Sequence, residues 1–242
     1  MTVIPFSSGA SMPKFPPLRY EVAAKNGVGE ITMYGVIGDP YDGISAAQFM
    51  TDLKKLDNAA EINIHINSPG GIVSEGRAIY NRLRAHAGRK IVHVDSEASS
   101  IAALIAMAGD EVRMMEGSVM LVHRAWGVAI GNANQLRDRI RDLETIDQAQ
   151  IETYQRRTKM KPEAILNLMD EDRYMSAAEA VKLGFADVAV TGMKMAAMAV
   201  DRSALGLPEL PAVRSTLSRS EARSRMEAVL TSRTIKPARG VR

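Results

Sequence analysis

The sequence predicts an α/β fold, a parallel sheet with crossover helices, and three observations predict it. Segments 29–37, 62–67, 90–95, 111–114 and 119–122 are short, alternating or Val/Ile-rich, and bounded by glycine, proline or polar residues, as strands are. Between the first of them lie stretches with apolar residues at helical spacing, so strand, helix, strand, helix, strand follow one another as in βαβ units. The third observation is the stretch 97–109. Nine of its thirteen residues are apolar, which makes it a buried helix rather than a surface one.

Taken in order, residues 1–20 hold prolines at 5, 13, 16 and 17 and no continuous apolar run. A flexible arm is expected over 1–27 and a folded domain over 28–195. Gly29-Glu30-Ile31-Thr32-Met33-Tyr34-Gly35-Val36-Ile37 alternates as a strand, closed by glycine and Pro40. Ser45 can cap a helix over 45–53, with Phe49, Met50 and Leu53 on one stripe. Ile62-Asn63-Ile64-His65-Ile66-Asn67 is a second alternating strand and runs into Ser68-Pro69-Gly70-Gly71. An amphipathic helix follows, with Ile79, Tyr80 and Leu83 on its apolar face. Strand 90–95 leads into the central helix, and 111–114 and 119–122 are strands separated by Glu116-Gly117.

Residues 134–157 place Leu136, Ile140, Leu143, Ile146 and Ile151 at helical spacing among Arg137, Asp138, Arg139, Arg141, Asp142 and Glu144. This pattern predicts a long helix projecting from the body with one narrow apolar edge. An ordinary surface helix looks similar, but so narrow a seam on so long a helix suits a partner subunit better. Pro162 opens another short helix, and Ala177-Ala178-Glu179-Ala180-Val181-Lys182-Leu183-Gly184 is one more, ended by glycine. Residues 196–242 are rich in Ser, Arg, Pro and Ala without sustained periodicity. They read as a basic, disordered tail with a transient helix near 219–230.

Composition excludes several chemistries. The chain has no cysteine, hence no disulfide, thiolate zinc site or cysteine nucleophile. Aromatic residues are only 5% against 46% hydrophobic residues overall, so aliphatic side chains and 15 methionines must fill the core. No signal peptide and no run of apolar residues long enough for a membrane span is seen, and a cytoplasmic protein is expected. From Asp201 onward nine Arg/Lys stand against four Asp/Glu, a net +5, which leaves −2 on residues 1–200 of a chain whose total is +3. The basicity belongs to the tail, and nucleic acid is not an expected partner.

Three polar features fall near strand ends, where open parallel sheets gather their sites. Adjacent glycines in Asn67-Ser68-Pro69-Gly70-Gly71 allow positive φ and let backbone N–H groups approach a ligand, although a plain tight turn uses the same residues. No Gly-Lys-Ser/Thr follows, so this is not a phosphate loop. Ser99 and Ser100 lie at the start of the central helix, where unpaired N–H groups and the positive dipole end collect. Either could be only an N-cap. His123 follows the apolar strand and is the one histidine of four that leads from such a run into a loop. Asp172 sits in the acidic run Asp170-Glu171-Asp172. Serine, histidine and aspartate are the minimum set for acyl transfer through a hydroxyl. Spacing alone leaves open whether they meet.

Ile66-Asn67-Ser68-Pro69-Gly70-Gly71, Glu97-Ala98-Ser99-Ser100-Ile101, Met120-Leu121-Val122-His123 and Asp172-Arg173-Tyr174-Met175-Ser176-Ala177-Ala178-Glu179-Ala180 together resemble the Clp protease proteolytic subunit family, in order and spacing, over roughly residues 28–190. The resemblance implies a ClpP/crotonase-like spiral of β-β-α units and a homo-oligomer of stacked rings, in which the long helix interdigitates. It puts the nucleophile on Ser100, the base on His123, the orienting carboxylate on Asp172 and the oxyanion-hole amides on Gly71 and Ile101. It implies no cofactor and no metal. Ile101 stands where housekeeping subunits usually carry methionine, a change the backbone N–H tolerates. The N-terminal arm does not look like their axial-loop segment, which argues against docking of an ATPase unfoldase.

The stretch Asp42-Gly43-Ile44-Ser45-Ala46-Ala47-Gln48-Phe49, the helix ending Ile105-Ala106-Met107-Ala108-Gly109-Asp110 and the basic tail look more like the phage-encoded branch. That branch processes capsid and scaffold proteins, in the host cytoplasm or the immature head. The reading is therefore a serine-type endopeptidase acting on protein or peptide substrates. The alternatives are a crotonase-like acyl-CoA enzyme, which needs no Ser/His/Asp set, and a non-catalytic assembly scaffold. A Ser–Lys pair is disfavoured, because no lysine lies between Lys90 and Lys159.

Overall fold

The computed structural model describes residues 19–25, 27–38 and 43–191. The expected tail, most of the expected arm and Asp42 of the phage-like stretch lie outside the described residues. Among those described, eight strands form one sheet: β1 (Arg19–Lys25), β2 (Val28–Tyr34), β3 (Glu61–Ser68), β4 (Arg89–Ser99), β5 (Glu111–Met114), β6 (Val119–Leu121), β7 (Tyr174–Ser176) and β8 (Val188–Ala189). The helices are α1 (Ala46–Leu53), α2 (Val73–Ala85), α3 (Ile101–Ala106), α4 (Ala133–Thr158), α5 (Pro162–Glu171) and α6 (Ala177–Leu183). Strand order is β1-β2-β3-β4-β5-β8, with β6 beside β4 and β7 beside β6. All pairings are parallel except β1 with β2 and β6 with β7. The chain is thus an α/β fold on a mostly parallel sheet.

β4 is the spine. Its first half, Ile91 to Val94, pairs with β5, and its last three residues, Glu97 to Ser99, pair with β6. One face of the sheet carries Ile31, Met33, Ile62, Ile64, Ile66, Val92 and Val94, all buried under α1, α2 and α3. The other face is only half-buried and carries Glu30, Tyr34, Asn63, His65, His93 and Asp95. Strands of a parallel sheet covered on both faces read as continuous apolar runs. This sheet is covered on one, which is why its strands alternate so cleanly in the sequence.

Two readings change. The arm does not extend to residue 27: Arg19–Lys25 pairs antiparallel with β2, and Tyr20 and Val22 pack against the core. The central helix is shorter than 97–109, because Glu97, Ala98 and Ser99 are taken up by the ladder to β6. Six residues, Ile101–Ala106, remain helical, every one buried. α3 reaches this depth because α2 presents Gly76 to it; a Cβ there would stand 2.2 Å from Ile101 Cγ1.

Candidate active site

β4 ends at Ser99, and the chain turns into α3 through Ser100, whose φ of 57° and ψ of −125° lie outside the regions open to residues with a Cβ. The turn is held from three sides. Ser100 N–H donates to Leu121 O on β6 at 2.8 Å, and its carbonyl accepts from Ala103 and Leu104. Ser68-Pro69-Gly70-Gly71 lies against it from β3. Gly70 (φ 100°) is so close that a Cβ would sit 2.6 Å from Ser100 Cβ.

The two serines separate here. Ser99 is buried, and its hydroxyl donates to Glu97 Oε1 at 2.6 Å. The Ser100 hydroxyl caps nothing in α3 and has no hydrogen-bond partner among the described residues. The N-cap role considered for either serine is therefore filled by neither. A strained strand-to-helix turn that holds out a free hydroxyl is the geometry of a nucleophile elbow.

Ser100, His123 and Gly71 border one cavity of about 400 Å³, together with Ile72, Trp126 and Gln150. His123 stands just past β6, after the buried Val122, and is partly exposed. The other three histidines are engaged: His65 with Asp95, His86 with Leu56 O, and His93 with Asn63. Among the described residues the His123 ring has no such partner.

Two backbone donors close to Ser100 in the fold have no backbone acceptor among the described residues. Gly71 is bridged to Ile37 in parallel, with Ile37 N–H donating to Gly70 O and Ile72 N–H to Ile37 O, both at 2.8 Å. In that pattern the N–H of Gly71 itself points the other way, and it has no backbone acceptor among the described residues. A side chain at Gly71 (φ 150°) would meet Ile37 O at 2.0 Å, so glycine is required. The N–H of Ile101, the first residue of α3, is likewise without a backbone acceptor, as helix N-termini leave it.

Asp172 is not on the cavity wall. It ends α5 in a left-handed conformation (φ 45°, ψ 48°), is exposed, and makes no hydrogen bond to His123. Its backbone position is nevertheless specific. β6 and β7 pair antiparallel with Leu121 opposite Tyr174 as the last pair, so His123 and Asp172 each lie two residues beyond the same end of that ladder.

The loop after His123 is anchored by charge. Arg124 donates to both oxygens of Asp170, at 2.5 and 3.0 Å, and its guanidinium stands 3.5 Å from the buried Asp147. Asp147 also accepts from Ala125 N–H at 2.7 Å. Hydrogen bonding from Arg124 holds the Asp170 carboxyl below the usual carboxylate range. On the far side Tyr174 donates to Glu97 Oε1 at 3.1 Å; burial first, then Glu97, raises its hydroxyl above the ordinary tyrosine value. Sequence reasoning did not single out Glu97, Asp147, Gln150 or the cavity position of Trp126. The available signal was polarity: Asp147 and Gln150 interrupt the apolar edge of α4 at helical spacing.

The Clp protease family model matches residues 30–192, more than half of the chain, and the chain belongs to the Clp protease family. Membership makes it a protease, a hydrolase of peptide bonds. Among curated proteins it is similar to the ATP-dependent Clp protease proteolytic subunit of Deinococcus radiodurans, 28% identical over 156 residues, covering 62% of this chain and 76% of that one. Among the described residues no group of histidine and acidic side chains could hold a metal, and no helix is long and apolar enough to cross a membrane.

Proposed function

We propose that this protease is a serine endopeptidase with Ser100 as nucleophile, His123 as general base and Asp172 as the carboxylate that orients the imidazole. The Ser100 hydroxyl attacks the scissile carbonyl carbon while His123 takes its proton. The oxyanion is received by the N–H groups of Gly71 and Ile101. His123 returns the proton to the leaving amine as the C–N bond breaks, and water then hydrolyses the acyl-serine ester by the same route.

The observation that carries this reading is the strained turn at Ser100: its hydroxyl is unengaged and borders a cavity shared with His123 and Gly71. Asp172 joins because it and His123 each lie two residues beyond the same end of the β6–β7 ladder. Catalytic hydrogen bonds are often open before substrate binds. The working form is a homo-oligomer of stacked rings joined through α4. Its substrates are phage capsid or scaffold proteins, on the strength of the phage-like motifs, and an ATPase unfoldase is not required.

Fluorophosphonate labelling with peptide mapping tests the assignment. Wild type and Ser99→Ala should take the label on Ser100, and Ser100→Ala should not. Peptidase activity of Ser100→Ala should fall by roughly six orders of magnitude, the effect of removing a nucleophile elsewhere. Asp172→Asn should cost on the order of 10⁴ by leaving His123 in the wrong tautomer. Label retained by Ser100→Ala overturns the reading.

A further inference from the structure

We propose that Gln150 selects the substrate side chain that enters the cavity beside Ser100, and that this side chain is an uncharged carboxamide, glutamine or asparagine, on the residue whose carbonyl is attacked. The inference rests on the proposed function, since it needs Ser100 to be the attacking group.

Gln150 is on α4 and borders the cavity that holds Ser100 and His123. It is 3% exposed, and its Nε2 is sealed from solvent without any hydrogen-bond partner. Buried polar atoms are almost always paired, and one left unpaired is costly. The Gln150 side chain lies in the wall of a cavity beside a nucleophile, and a half-turn of its amide can carry Nε2 from its sealed position to a ligand there. α4 makes no use of the amide itself: no hydrogen bond from the Gln150 side chain to any other described residue exists.

The chemistry of the wall narrows the partner. An amide offers one acceptor and a pair of donors, and a half-turn about its last bond exchanges which end faces the cavity. A second carboxamide matches it with a donor and an acceptor at once. The charged groups nearby are already spoken for: Arg124 is held by Asp170 and Asp147, and Asp147 also takes Ala125 N–H. An incoming ammonium would find no free counter-charge and would be buried at high cost, and a carboxylate could be met only by His123, which must stay neutral to act as the base. A leucine would fit by size but leave the Gln150 amide unpaired, the kind of mismatch that hydrogen-bonding sites reject. Ile72, Val73 and Trp126 supply apolar wall for the methylene groups of the side chain.

The test uses the full-length protein and a set of peptides identical except at the residue before the scissile bond, which is Gln, Asn, Leu, Glu or Lys, each releasing an aminocoumarin. The ratio of kcat/KM values for Gln and Leu peptides is independent of how much enzyme is competent. In wild type it should exceed about 10, the discrimination of one hydrogen-bonded group or more. Gln150→Met keeps length and shape without the amide, and it should bring the ratio to one or below. Its thermal midpoint should not fall, since a sealed unpaired amide is replaced by an apolar group. Gln150→Asn should lose relative rate on the Asn peptide more than on the longer Gln peptide.

Wild type that takes fluorophosphonate on Ser100 yet cuts the Leu peptide as fast as the Gln peptide overturns this inference alone. So does a ratio that Gln150→Met leaves unchanged. Protein that neither takes the label nor cuts any peptide overturns the reading of the site, and this inference with it.

Discussion

Ser100 holds φ 57° and ψ −125°, a conformation that costs a residue with a Cβ about 1–3 kcal/mol, and the surrounding ladders impose it. Replacing it separates strain from chemistry. Ser100→Gly should remove the strain at an entropic cost of roughly 0.5–1 kcal/mol, so by denaturant unfolding it should be more stable than Ser100→Ala by about 1 kcal/mol. Equal stability of the two variants would show that the turn is not strained. Both should be inactive. Gly70→Ala probes the other half of the corner: a Cβ there lies 2.6 Å from Ser100 Cβ and 2.8 Å from Ser99 O. Either the glycine loop or the serine must shift, and a displacement near 1 Å is expected to lower kcat/KM on the order of 10²-fold. At this scale local pattern marked the pair Ser99 and Ser100 without choosing between them, and only the family resemblance pointed to Ser100. Ser99 and Ser100 are chemically alike, and what tells them apart is pairing with β6 and a hydrogen bond to Glu97, neither of which any local pattern encodes.

Among the elements, strands with one open face were the most legible, because period-two alternation in β2 and β3 is imposed by burial on one side only. α4 was legible within a residue at each end, its start fixed by the Asn132–Gln135 capping box. β7 and β8, of three and two residues, were not, since so short a strand carries no period and exists only through its partner. The same one-sided burial leaves a polar network on the open face. His65 and His93 stack with centroids 4.7 Å apart, Asp95 bonds His65 at 2.9 Å, and Tyr34 donates to Asp95 at 2.6 Å. The bond to Asp95 raises the affinity of His65 for its proton, whereas burial and then His65 lower that of His93. Burial alone would raise Asp95, but bonds from His65 and Tyr34 together hold it below the usual range. A histidine raised by folding stabilises most below its unfolded value, and the contribution is lost as pH rises through the folded one. The stability gap between wild type and His65→Gln should therefore be wider at about pH 6 than at about pH 8.5, on either side of the reference value of about 6.5. Its size should stay within about 1 kcal/mol because the pair is partly solvated. Denaturant melts at the two pH values check the sign, and a gap that widens with rising pH contradicts it.

For the molecule as a whole, the first half of α4 and the loop before it present apolar side chains that no other described residue covers. Trp126, Val128 and Ile130 are 77%, 88% and 97% exposed, and Leu136 and Ile140 continue the stripe onto the helix. Every residue from 126 to 142 is exposed, while beyond it Asp147, Gln150, Ile151 and Tyr154 are buried against the body. α4 is 26 residues long, and no described residue covers its outer half. A large side chain gains about 1.5–3 kcal/mol on full burial, so a contiguous stripe of five is a strong drive to associate. The loop that carries this stripe also carries Arg124, Ala125 and Trp126 on the cavity wall, so the contact that orders one orders the other. Light scattering should find an assembly of many times a single chain's mass. Ile130→Asp with Ile140→Asp, both remote from Ser100, should shift the protein toward smaller species and lower kcat/KM in step with the fraction dissociated. A stable monomer at micromolar concentration would remove the assembly from the proposal. A dissociated variant with full peptidase activity would instead uncouple the cavity wall from the contact.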